Sequence, residues 1–155
     1  MIIGLRHDVD TVWGLRRGLP KVITIEKKHD VKSTFCIRVD VLRSDKDCAI
    51  LRQIVGEGWE IALHLINTID DSRLSSSRSE LERLKELLGV PVYGVTPCGT
   101  TIGFKGEVTW RVMEALNLDY MEGYGVPDFN VETFVFPTHL SFDIYYVRSF
   151  GEKEG

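Results

Sequence analysis

The sequence predicts an α/β fold, specifically a partial or distorted (β/α) barrel of about seven strands. Three observations predict it. Short apolar runs alternate with helix-periodic stretches over four βα steps, the pattern of parallel strands joined by crossovers. The third run, Trp59 to Leu65, is almost continuously apolar, as suits a strand buried on both faces. The last three strand-like runs leave no room for helices between them, so they suit an antiparallel edge. Seven strands and four helices fall short of eight repeats. An open doubly wound sheet is the alternative.

The elements follow in order. Met1 to Leu5 is a short apolar strand ending in the polar cluster Arg6-His7-Asp8-Val9-Asp10. Pro20 to His29 suits a helix, because proline in the first turn loses no hydrogen bond. Lys32 to Val39 is a strand by its β-formers Thr34, Phe35, Ile37 and Val39. Asp47 to Val55 carries an apolar helical stripe and ends before Gly56 and Gly58. Asp70 to Ser79 reads as a loop. Ser79 to Leu88 is a helix with Leu81, Leu84, Leu87 and Leu88 on one face and Gly89 as its stop. Val90 to Val95 is the fourth strand, and a glycine-rich loop runs from Thr96 to Gly106. Glu107 to Leu116 is the last helix. Leu118 to Met121, Thr133 to Phe136 and Ile144 to Val147 are late strands.

At 155 residues the chain fits one domain, 1–150, with a charged tail at 151–155. The composition, 43% hydrophobic and 27% charged, is that of a globular protein. A net charge of −4 offers no footprint for nucleic acid or an anionic membrane. Cys36, Cys48 and Cys98 are odd in number and widely spaced, which suits a reducing compartment rather than a disulfide framework. The start lacks the apolar core of a signal peptide, and no run approaches the ~20 apolar residues of a membrane span. The expectation is a cytoplasmic protein.

Four places can carry chemistry. Asp8 and Asp10 lie at the C-terminal end of the first strand, where parallel α/β folds build their sites. On extended backbone they share a face, and two carboxylates so placed repel unless a cation or proton lies between them. A divalent metal held by one, with the other as general base, is one reading; two solvated loop carboxylates is the other. His64 ends the third strand and is either a metal ligand or a histidine bonded to a carbonyl. Cys98, in Thr96-Pro97-Cys98-Gly99, is either a thiolate ligand or a small buried hydrophobe. His139, after a late strand, is either a general acid or structural. The aromatics Trp13, Trp59, Trp110, Tyr120 and Tyr124 either line a sugar site or fill the core; core filling is the reading for the others, and Trp13 is set apart because it follows the Asp pair closely.

Taken together, Gly4-Leu5-Arg6-His7-Asp8-Val9-Asp10, Val31-Lys32-Ser33-Thr34-Phe35 and Gly58-Trp59-Glu60-Ile61-Ala62-Leu63-His64 resemble the polysaccharide deacetylases, carbohydrate esterase family 4 of the NodB-like superfamily. Gly94-Val95-Thr96-Pro97-Cys98-Gly99 is similar to the family's later Pro-containing loop. The resemblance covers roughly residues 2 to 100. It implies a distorted (β/α) barrel and metal-dependent hydrolysis of an N-acetyl amide, with zinc the expected ion. It assigns Asp8 as catalytic base and Asp10 and His64 as metal ligands. His139 would protonate the leaving amine, and Trp13 and Pro97 would lie on the substrate side. The implied substrate is a small carbohydrate or amide. Where the family pattern has a second histidine, this chain has Thr68. A divergent branch that also begins His-Asp-Val-Asp keeps a histidine in the Pro-containing loop, and the matching residue here is Cys98. The implied ligand set is therefore Asp10, His64 and Cys98. The loop's usual arginine is missing, with Gly94 and Val95 where a basic residue is expected.

Overall fold

A computed structural model describes residues 5–66, 74–96, 115–123 and 144–147. Its strands are β1 (Arg6–Val9), β2 (Thr34–Ile37), β3 (Glu60–His64), β4 (Gly94–Thr96), β5 (Tyr120–Gly123) and β6 (Ile144–Val147). Its α-helices are α1 (Leu19–His29), α2 (Asp45–Gly56) and α3 (Leu74–Leu88). The expected strand at 133–136, most of the helix at 107–116 and the tail at 151–155 lie outside the described residues.

The described strands form one sheet in the order β1-β2-β3-β4-β5-β6. The first five run parallel, and β6 pairs antiparallel with β5, the edge expected from the short spacing of the late strands. Each strand is added beside its predecessor, always on the same side. A doubly wound sheet needs its order to reverse at a switch point, and no reversal occurs here. The progression is that of a (β/α) barrel.

Several boundaries differ from those read off the sequence. β1 covers the polar cluster itself, because Arg6 and Asp8 pair in register with Thr34 and Cys36 of β2. Helical structure begins ahead of Pro20 with a π-helical turn at Gly14–Gly18, in which the Leu19 N–H bonds the Gly14 carbonyl. Proline has no N–H and crowds the carbonyl four residues back, so a widened turn beside Pro20 has a direct cause. α2 starts at Asp45, capped by Ser44, whose hydroxyl accepts from the Asp47 N–H at 3.4 Å. α3 begins at Leu74, five residues before the expected start. It ends as expected, with Gly89 at φ +62° and its N–H on the Lys85 carbonyl.

Strand alternation divides the sheet into two faces. Val9, Phe35, Ile37, Ile61, Leu63 and Val95 point to the helix layer and pack with Leu15, Leu19, Ile23, Leu51, Ile54, Leu84 and Leu88 in one buried core. The other face carries Arg6, Asp8, Thr34, Cys36, Glu60, Ala62, His64, Gly94, Thr96 and Tyr120, and is mostly polar. This polar face is concave. In a flat sheet β1 and β4 stand three strand spacings apart, about 14 Å. Yet Arg6 on β1 donates to Thr96 on β4 at 3.1 Å. Likewise the Tyr120 hydroxyl of β5 donates to Glu60 of β3, its ring lying directly over Gly94, where a Cβ would collide with it. Only a strongly curled sheet allows both contacts. No helix among the described residues is long and apolar enough to cross a membrane.

Candidate active site

The concave face gathers three sequence-singled residues from two strands. Asp8 lies within β1, Asp10 follows its end, and His64 ends β3. The His64 Nε2 lies 3.2 Å from Asp10 Oδ1 and 3.7 Å from Asp8 Oδ2. The histidine side chain is nearly buried, at 6% exposure, whereas Asp8 and Asp10 are 33% and 51% exposed. The cluster is therefore walled by protein behind the imidazole and open in front.

The second imidazole nitrogen decides what this cluster can do. His64 Nδ1 lies 2.8 Å from the Leu65 carbonyl oxygen. A carbonyl only accepts, so Nδ1 carries the hydrogen. In the neutral ring, Nε2 then presents a lone pair, and it presents it to two carboxylates. Electron pairs facing one another at this range need something positive between them. A second proton on the ring is one answer; a shared divalent cation is the other. One imidazole nitrogen and one carboxylate at close range are donors of the kind zinc takes, and the carbonyl bond on Nδ1 is the usual support for a ligating histidine. Among the described residues no group of three or more His, Cys, Asp or Glu is arranged to hold an ion, so the donors in place are the Asp10–His64 pair with Asp8 alongside. Cys98, Pro97 and His139 lie outside the described residues.

The backbone around His64 is tied on both sides. The Leu65 N–H donates to the Thr96 carbonyl at 2.9 Å, and the Ile66 N–H donates to Glu80 Oε2 at 2.8 Å. Glu80 reaches this point from α3, and its burial holds the carboxyl above the ordinary value. Behind the Asp pair, Asp47 anchors the π-helical turn to α2. It is fully buried and accepts from Arg16 Nε at 2.6 Å, Arg16 Nη2 at 2.9 Å, Ser44 Oγ at 2.9 Å and the Arg43 N–H at 3.1 Å. The Arg16 hydrogen bonds hold its carboxyl well below the usual carboxylate range, against the effect of burial.

His7 does not join the site. It points to the helix layer, stacks on Phe35 with centroids 5.2 Å apart, and meets Glu26 Oε1 at 2.9 Å. Trp13 is 69% exposed, so it fills no core; it sits in the helical turn that follows Asp10. Trp59 does fill the core, with its N–H on Glu26 Oε2 at 2.5 Å. Sequence reasoning passed over Arg6, whose Nη1 lies 2.6 Å from Asp8 Oδ1. The signal was present in the strand alternation, which puts residues 6 and 8 on one face.

No family model matches the sequence. Solved structures do resemble the fold. A CE4 family pseudoenzyme from Bacillus anthracis matches 76% of this chain and 41% of its own, at 22% identity and a TM-score of 0.56. A polysaccharide deacetylase from Bacillus cereus matches 79% of this chain and 59% of its own, at 14% identity and a TM-score of 0.53. The allantoinase Puue matches 72% of this chain and 37% of its own, at 23% identity and a TM-score of 0.50. The chain thus has the parallel α/β fold of the CE4, NodB-like deacetylases, and it spans between 37% and 59% of the lengths of these three proteins.

Proposed function

We propose that this chain is a divergent CE4, NodB-like protein and a metal-dependent hydrolase of a C–N amide bond. Its substrate class is a small N-acetylated sugar or related amide in the cytoplasm. The observation that carries the reading is His64 Nε2 lying 3.2 Å from Asp10 Oδ1, with Asp8 Oδ2 at 3.7 Å. Asp10 and His64 would hold the ion, and zinc suits an imidazole–carboxylate pair. A bound divalent ion supplies Lewis acidity and acidifies a water. Asp8, with one oxygen turned toward that place, is the group that takes the proton from an attacking water. His64 keeps its Nδ1 hydrogen on Leu65 throughout, so it acts as a holder and moves no proton. In the same proposal Cys98 adds a third ligand, His139 protonates the departing amine, and Trp13 and Pro97 border the substrate. The likeness to both a polysaccharide deacetylase and an allantoinase supports an amide class wider than sugars.

A second reading is favoured by one observation: one of the similar structures is a pseudoenzyme. On this reading the fold serves as a binding module. The test is release of acetate from N-acetylglucosamine oligomers and small acetamides by zinc-loaded protein, compared with Asp8→Asn. The expected result is measurable release that falls by about 10²–10⁴-fold in the variant. Stoichiometric zinc without release from any of these amides would favour the binding module.

A further inference from the structure

Arg6 is absent from the chemistry described so far, yet it touches the group that would do it. Strand alternation puts Arg6 and Asp8 on the same concave face of β1. One nitrogen of Arg6, Nη1, donates both to Asp8 Oδ1 at 2.6 Å and to Thr96 Oγ1 at 3.1 Å. Thr96 is itself in register with His64 on the adjoining strand. The arginine side chain is only 13% exposed, and hydrogen bonds to an ionised group in such surroundings are among the stronger ones.

The floor beneath explains how the contact forms. In the register of Asp8 the neighbouring strands carry Cys36 and Ala62. These side chains are small, so a long guanidinium can cross the concave face from β1 toward Thr96 on β4. The Asp8 carboxylate is carried from place to place as the side chain turns about its Cα–Cβ bond. Arg6 holds Oδ1, which leaves Oδ2 on the side of His64 Nε2, 3.7 Å away.

We propose that Arg6, anchored by Thr96, is a positioning residue that holds the Asp8 side chain in one χ1 rotamer and so keeps its carboxylate beside the Asp10–His64 pair. The inference rests on the reading of Asp8 as the proton-accepting group.

The test is the Asp8 side-chain rotamer in the metal-free protein in solution. Three-bond couplings from the side-chain carboxyl carbon to the backbone nitrogen and carbonyl carbon report it. The wild type should show one rotamer. Arg6→Gln should show averaging between at least two, and Arg6→Lys, which keeps the charge, should restore the single rotamer. Thr96→Val, a milder change should Arg6→Gln not fold, should also introduce averaging. A merely structural arginine, stitching β1 to β4, would lower the melting temperature without moving these couplings. Wild-type couplings in both Arg6→Gln and Thr96→Val would overturn the proposal. The readout needs neither metal nor substrate, so it is separate from success or failure of the hydrolase reading.

Discussion

Two acid clusters sit on opposite faces of β1, one residue apart in sequence, and they are built on opposite rules. On the helix side, Glu26 is buried and each oxygen meets a donor: Oε1 the His7 ring and Oε2 the Trp59 N–H. Burial pushes its carboxyl up, but the hydrogen bonds from Trp59 and His7 oppose that, and the net shift is downward. Asp47 follows the same rule with Arg16, Ser44 and the Arg43 N–H. On the concave side, Arg6 holds one Asp8 oxygen, while His64 Nε2 lies 3.2 Å from Asp10 Oδ1 and 3.7 Å from the other Asp8 oxygen, with no donor fixed between them in the neutral ring. A closed cluster is complete in itself and stabilises the fold. The open one leaves the place between His64 and Asp10 for a cation or proton, and that is what marks it as a site.

The contrast can be broken from the closed side first. Asp47→Ala should have the largest effect on stability, about 3 kcal/mol in urea unfolding, because it empties a fully buried position, strips a helix start of its cap partner and takes the acceptor from Arg16 and the Arg43 N–H. Glu26→Leu should cost about 2 kcal/mol by the same measurement, since the Trp59 N–H and the His7 ring lose their acceptor. The acid dependence gives the smallest effect. Glu26 and Asp47 are both lowered on folding. Such groups contribute stability that is present above the unfolded carboxylate value, near pH 4, and is lost as the pH falls through the folded value. Stability should therefore decline below about pH 5, and the decline should be shallower in Glu26→Leu.

The two sides also differed in how far the sequence disclosed them. The apolar run of β3, the leucine face of α3 and the Gly89 stop are local patterns, and each is where local pattern put it. The antiparallel edge of β6 was legible from spacing alone. The start of α3 was not. Its first turns are Leu74-Ser75-Ser76-Ser77-Arg78, a composition that reads as loop, although Ser77 and Glu80 are buried. The π-helical turn was hidden because Gly14, Gly18 and Pro20 all read as breakers. β1 includes Arg6 to Val9, which the sequence reading put after the strand because charged residues were taken to end it, whereas the inside of this curled sheet is polar. Strand ends and alternation put Asp8 and Asp10 on one face and His64 at the end of its strand; that the three share one site was what the family resemblance implied. The contact of Arg6 with Thr96, 90 residues apart, depends on curvature that no local pattern reports.

The account turns on whether the open cluster wants a cation. The most direct measurement is thermal unfolding of wild type and Asp10→Asn, each with and without zinc. Without zinc the variant should melt no lower than wild type, because it removes one of the opposed charges. With zinc a hundredfold above its Kd, wild type should rise by about 5–10 °C while the variant stays within about 2 °C. A wild type that zinc leaves unmoved, or a variant that rises equally, would contradict the claim that Asp10 and His64 form a metal-binding pair.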